Sequence, residues 1–377
     1  MQVEAISKNY SVEIACVILC CRIFVKTTPA AELEQFVQSH EIDWEEVYRL
    51  AALHRVRPIV YRVLNNNRIP GPALTRFRNY CHALSVFAFE RQIESARILQ
   101  VLREQGIAVK MYKGLDFTRV VYGGDISMRE FTDMDFIVDN RQLAALVDVM
   151  LSQGYESPSL EYFRRFPTSF FDNRKDITFY KRSPGGRLFS VEFHYRPDSF
   201  INRQLSFKEF LGDDYLDSTQ PITSQQYYQL MLINHGVRDY YPNLRSLVDM
   251  VMLISAGHKQ VPEQLQRHEC LARLLTNQLM NCAAQPVATG YDGSLTKTAR
   301  IIINYLLTTS TRSLRDQIYT SVCLNRYSIS KFRLLVRFTH FILLPNESDF
   351  MTARLPYFQL YYFTKPYRVI KKIFLNS

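Results

Sequence analysis

The sequence predicts an α+β fold: a small mixed-sheet core at about residues 107–200, flanked by N-terminal and C-terminal helical regions. Three observations predict it. Apolar residues recur at helical spacing as far as Gln105, short β-rich runs punctuated by glycine begin at Gly106, and helical spacing returns from Leu205 onward. The chain accordingly divides into an N-terminal helical region (1–106), the sheet core (107–200) and a C-terminal helical region with a basic tail (201–377).

At 377 residues, 47% hydrophobic and 22% charged, the chain is long enough to bury a sizeable core, which excludes peptide hormones, disulfide mini-scaffolds and mainly disordered or collagenous chains. Its formal charge of +10 favours an anionic partner: a nucleotide, a nucleic acid or an acidic membrane surface. The seven cysteines, Cys16, Cys20, Cys21, Cys81, Cys270, Cys282 and Cys323, are odd in number and lack CxxC spacing. They read as reduced thiols in a cytoplasmic protein. The apolar run Ile14 to Val25 is about half of what a membrane span needs, contains Arg22 and has neither a basic start nor a cleavage site, so it reads as a buried helix and no transmembrane segment is expected.

Asp43, with Glu46 three residues on, starts a helix that Pro58 interrupts. Asn65-Asn66-Asn67 and Pro70-Gly71-Pro72 read as a loop, followed by a long amphipathic helix from about Leu74 to Gln105. Ile107 to Tyr112 is a strand, Leu115 to Tyr122 a short helix, and Phe131 to Val138 a second strand closed by Asp139-Asn140. Leu143 to Gln153 is a helix, and Asp176 to Arg182 with Arg187 to Tyr195 form a hairpin around Ser183-Pro184-Gly185-Gly186. Helices follow through Tyr227 to His235, Leu244 to Ile254 and Thr296 to Leu307. Beyond residue 300, eleven cations face three acids, so the tail carries most of the excess charge.

Asp133 and Asp135 stand two apart in the second predicted strand and therefore share a face, where a divalent cation would neutralise their repulsion. Oxygen ligands suit Mg²⁺, or Mn²⁺. A surface strand with scattered acids carries the same tripeptide. The second hairpin strand adds to the metal reading, because Phe189, Val191 and Phe193 take one face and leave Glu192 with His194 on the other. Glu192 would be the third carboxylate, either the metal ligand nearest the attacking oxygen or its general base. Three acids on adjacent strands can hold two metals, one orienting nucleotide phosphates and one activating an acceptor hydroxyl. Lys113-Gly114, ending a strand at a helix start, could bring backbone N–H groups and a cation to phosphate. Arg129 could reach the same phosphates. His194 could orient a carboxylate, touch the acceptor, or be a satisfied core histidine.

In their order, Tyr112-Lys113-Gly114, Arg129, Thr132-Asp133-Met134-Asp135-Phe136-Ile137-Val138 and Val191-Glu192-Phe193-His194-Tyr195-Arg196 resemble a poorly characterised bacterial nucleotidyltransferase family of the DNA polymerase β-like superfamily. That family runs LKG, R, DIDLLV and VDLHW. Ala51 to Tyr61, Asn243 to Met250 and Leu355 to Arg368 extend the likeness over about residues 42–372, and His235 and Asp249 fall at positions the family tends to keep. Tyr112 stands in place of Leu and Glu192 in place of Asp, while the superfamily's Gly-Gly or Gly-Ser phosphate loop is missing beside Lys113. The resemblance implies Asp133, Asp135 and Glu192 as catalytic metal ligands, with Lys113, Gly114, Arg129 and His194 on the nucleotide.

The expected function is metal-dependent transfer of a nucleoside monophosphate from a nucleoside triphosphate (NTP) to an acceptor hydroxyl. An RNA end, a protein, a sugar or a small molecule would each serve as acceptor. The alternative is a catalytically silent protein of the same fold that binds nucleic acid, a partner protein or an anionic membrane surface. Phe332 to Phe374, where Lys and Arg interleave with aromatic residues, is the segment expected to meet such a surface.

Overall fold

Several helices begin where the sequence supplies a capping side chain. In the computed structural model, which describes residues 1–69, 73–183, 185–198, 205–257, 261–282, 293–310, 313–325, 345, 347–353, 355 and 357–365, the Ser11 hydroxyl accepts from the Ile14 N–H and opens the helix Val12–Phe24. That helix is the apolar run read from the sequence, buried from Ile14 to Arg22. Among the described residues no helix is long and apolar enough to cross a membrane. Asp43 caps Trp44–Leu53 by accepting from the N–H groups of Glu45 and Glu46, and Pro58 sits in the first turn of a new helix, Arg57–Asn66, where its missing N–H costs nothing. The expected Asn65-Asn66-Asn67 loop is therefore shorter than its composition suggested. Asn65 and Asn66 complete the helix and only Asn67 lies beyond it.

The residues fall into two compact units that do not follow chain order: Met1–Gln100 with Met111–Met134 and Thr219–Leu324, and Val101–Lys110 with Asp135–Ser218 and Asn325–Ser377. In the first unit, Val12–Phe24 packs against Trp44–Leu53 and Arg57–Asn66. Leu244–Ser255 and Glu263–Met280 pack on each other behind them. All seven cysteines are free thiols, and six of them are buried.

The sheet has four strands, β1 (Val109–Tyr112), β2 (Met134–Val138), β3 (Asp176–Arg182) and β4 (Leu188–His194), in the order β1-β2-β4-β3. β3 and β4 form the expected antiparallel hairpin, with Asp176 opposite His194, Thr178 opposite Glu192 and Tyr180 opposite Ser190. On its buried face Phe136 stacks on Phe193 at 5.3 Å between ring centroids, and Phe179 meets Phe193 edge-on at 5.9 Å. The other face is left to the polar side chains of the alternation. Two short helices that the sequence did not announce, Leu160–Arg165 and Pro167–Asn173, lead into β3. They take up much of the aromatic content, with Tyr162 5.6 Å and Phe166 5.8 Å from Phe350.

β2 starts later than its pattern suggested. Phe131 is buried with Ala88, Leu115 and Ile126, so the chain is anchored there before extended pairing begins at Met134. Asp133 consequently lies in a bend one residue ahead of the strand and is half-buried. Most of the basic C-terminal stretch, residues 326–344 and 366–377, lies outside the described residues, and with it most of the segment expected to meet an anionic surface.

Candidate active site

The hairpin register and the β2–β4 pairing build a charged cluster within the second unit. From β2 comes Asp135; from β4 come Glu192 and His194; from the first position of β3 comes Asp176. His194 is the hub. Its Nε2–H donates to Asp135 at 2.7 Å, and the same nitrogen is 3.4 Å from Glu192 Oε2. Nδ1 lies 3.3 Å from the Lys175 ammonium and 3.5 Å from Asp176 Oδ2. A carboxylate can only accept, so the Asp135 contact assigns a proton to Nε2.

His194 is 1% exposed and the side chain of Asp135 5%, whereas the Glu192 side chain keeps 26% of its surface. Glu192 is thus the acid of this group that solvent or a substrate can reach. Burial pushes its carboxyl up, but the hydrogen bond and charge of His194 outweigh that and hold it below its ordinary value. Burial likewise opposes ionisation of Asp176, yet Lys175, His194 and Arg174 together keep it well below the usual carboxylate range. Arg174 joins Asp176 (3.2 Å) to Glu347 (3.1 Å), tying the start of β3 to the helix Glu347–Ala353.

Asp135, Glu192 and His194 each present a donor atom, and the three lie within 4.8 Å of one another. Two expected metal ligands are in this group. Its third member is His194, expected on the nucleotide, while Asp133 is not among its members. Asp176 and Lys175 went unread in the sequence; the available signal was the alternation of β3, which puts Asp176, Thr178 and Tyr180 on the face opposite the buried Ile177 and Phe179.

The other candidates belong to the first unit. Lys113 follows β1 as the N-cap residue with φ 56° and ψ −149°, a region nearly reserved for glycine, and its carbonyl accepts the Phe117 N–H as the helix Gly114–Val121 begins. Its ammonium lies 4.5 Å from the centroid of the Tyr112 ring. Asp133 is within electrostatic reach of Arg91 and Arg129, where its charge supports both guanidiniums against the cost of burial. Arg129, expected among the phosphate contacts, has its guanidinium on Asp249, through Nε at 3.1 Å and Nη2 at 2.9 Å. His235 Nε2 (3.0 Å) and the Tyr122 hydroxyl (2.5 Å) also donate to that carboxylate. Asp249 is completely buried; burial raises its pKa, but Arg129 and His235 drive it well below its ordinary value. This is a satisfied internal network.

The profile of a family described as uncharacterised nucleotidyltransferases matches residues 40–282, more than half of the chain. The chain belongs to that family. No curated protein and no solved structure matches. Membership supports a transferase, and the small four-stranded sheet among helices agrees with an α+β nucleotidyltransferase core. The match covers both units' sequence-predicted site residues, from Lys113 to His194, together with His235 and Asp249.

Proposed function

We propose that the protein transfers a nucleoside monophosphate from an NTP to an acceptor hydroxyl, using a divalent cation held by Asp135 and Glu192, as in the polymerase β-like superfamily. The observation that carries this reading is the convergence of Asp135, Glu192 and His194 on neighbouring strands in a member of a nucleotidyltransferase family. The donor set fits such an ion: the carboxylate oxygens of Asp135 and Glu192 suit Mg²⁺ or Mn²⁺, while His194, whose Nε2–H is spent on Asp135, holds them in place. When bound, the cation supplies charge neutralisation for the phosphates. A two-ion form of the mechanism calls on Asp133 as a further carboxylate.

The chain's own groups have separable tasks. Glu192, the accessible acid, takes the proton of the acceptor hydroxyl as its oxygen forms a bond to the α-phosphorus. The bond between that phosphorus and the bridging oxygen breaks, and its electrons leave with pyrophosphate. His194 fixes the orientation of Asp135 and Glu192, and Lys175 with Asp176 fixes the imidazole. Lys113, with Gly114 at the helix start, neutralises phosphate oxygens.

The test is to incubate the purified protein with each labelled NTP and Mg²⁺ or Mn²⁺ in host lysate, alongside Asp135→Asn. A labelled fraction that depends on Asp135 supports the assignment and identifies the acceptor class. No labelling with any NTP or metal would leave the catalytically silent binding protein as the better reading.

A further inference from the structure

Two helices of the first unit face each other across a cleft of about 330 Å³. Pro58, Tyr61, Arg62 and Asn65 line it from Arg57–Asn66, and Arg78, Cys81, His82 and Ser85 from the long helix Ala73–Glu104. Each set is spaced i, i+3, i+4, i+7, the stripe that facing helices ordinarily fill with apolar side chains to close on each other. Here both stripes are largely polar and the space between them stays open. Ser127 and Met128 complete the lining.

The chemistry of that lining is one-sided. Among the described residues no acid lines the cleft, while two guanidiniums, an imidazole, two carboxamides (Asn65 and Asn66) and the Tyr61 and serine hydroxyls offer donors. Asp125 bonds Arg62 through one oxygen (2.7 Å) and the Ser127 hydroxyl through the other (2.6 Å), which neutralises Arg62 and fixes the loop. Glu130, an acid near Cys81, is already engaged by Arg57 and Tyr80. Arg78 and His82 are exposed and, among the described residues, have no ion-pair partner. A donor-rich cleft with an uncompensated guanidinium suits a phosphate group. Its volume, at the lower end of the roughly 300–1,000 Å³ typical of small-ligand sites, leaves room for more than the phosphate alone. The carboxamides and the tyrosine can take up the hydroxyls of an attached sugar.

The geometry points to this cleft as a binding site for a phosphorylated sugar or mononucleotide, held through its phosphate by Arg78 and His82. The site stands apart from the proposed transfer chemistry and does not rest on it. It is tested on the full-length protein without metal or NTP, by calorimetric titration with ribose 5-phosphate, a nucleoside 5′-monophosphate, ribose and inorganic phosphate. Both esters should bind, ribose should not, and Arg78→Ala should weaken the esters by about tenfold or more. Arg78 is exposed, so the variant should keep its melting temperature. Arg141→Ala, an exposed arginine in the other unit, should bind like the parent, and so should Asp135→Asn, which separates this site from the transfer reading. Undiminished ester binding by Arg78→Ala, or no ester binding at about 10 mM, overturns the assignment. Inorganic phosphate binding as tightly as the esters would reduce the cleft to a simple anion site and overturn the sugar component.

Discussion

His194 and Asp135 meet at 2.7 Å across neighbouring strands, both almost fully buried, so an imidazole sets the position of the carboxylate proposed to hold the metal. Asp135→Asn removes the charge and keeps an oxygen that can accept from His194. Transfer should fall to background while the melting temperature holds or rises slightly, because repulsion with Glu192 is relieved. Wild-type turnover in this variant would refute the metal assignment. Asp133→Asn should also abolish transfer if the two-ion arrangement is right, and a Mn²⁺ titration of both variants followed by paramagnetic broadening shows which carboxylate holds the ion.

Glu192 and Lys113 should separate kinetically. Glu192→Gln is expected to spare nucleotide affinity and cut the transfer step by about 10²–10⁴, the usual share of a general base. Lys113→Ala should weaken NTP binding, more so at low salt, with a smaller effect at saturation. Equal losses of affinity in the two variants would contradict the division of labour.

The buried network around Asp249 predicts a stability effect. Asp249→Ala strands the Arg129 guanidinium and removes the acceptor for His235 and Tyr122, which should cost roughly 3–5 kcal/mol in urea unfolding. A loss below about 1 kcal/mol would show that water reaches Arg129 and replaces the carboxylate.

Acid should destabilise the fold through two other histidines. Burial pushes His54 and His268 down to about 4. Their unfolded values lie near 6.5, so between about pH 6.5 and 4 the unfolded chain binds more protons. Stability is therefore full above this window and falls as pH drops through it, by up to a few kcal/mol per histidine. His268→Leu should flatten part of this slope, and parallel curves for variant and parent would rule His268 out as a source. Asp249, held far below its ordinary value, should give up its contribution only at more acidic pH.

Much of the sheet was legible because strand alternation is a local property: Phe189, Val191 and Phe193 against Glu192 and His194 is decided within one strand. The start of β2 was not, since nothing near Phe131 in sequence says that its ring is buried with Ala88, Leu115 and Ile126. The partners of His194 were hidden for a related reason. Asp176 reaches it only through the hairpin register, and Asp135 only through the β2–β4 pairing, neither of which a single strand declares. Arg129 illustrates the converse, a basic residue in a suggestive place whose partner Asp249 lies 120 positions away.

The hairpin between β3 and β4 turns through Ser183 and Gly186, where Ser183 N–H donates to Arg187 O at 2.7 Å. Counting residues there is equivalent to choosing which way Glu192 and His194 point. One inserted or deleted residue within a strand would exchange them with Val191 and Phe193, exposing rings and sinking charges together. Length changes near this turn should therefore survive only in pairs or where a bulge absorbs the odd residue. A library of single and double insertions, scored for folded yield, would read that even–odd rhythm directly.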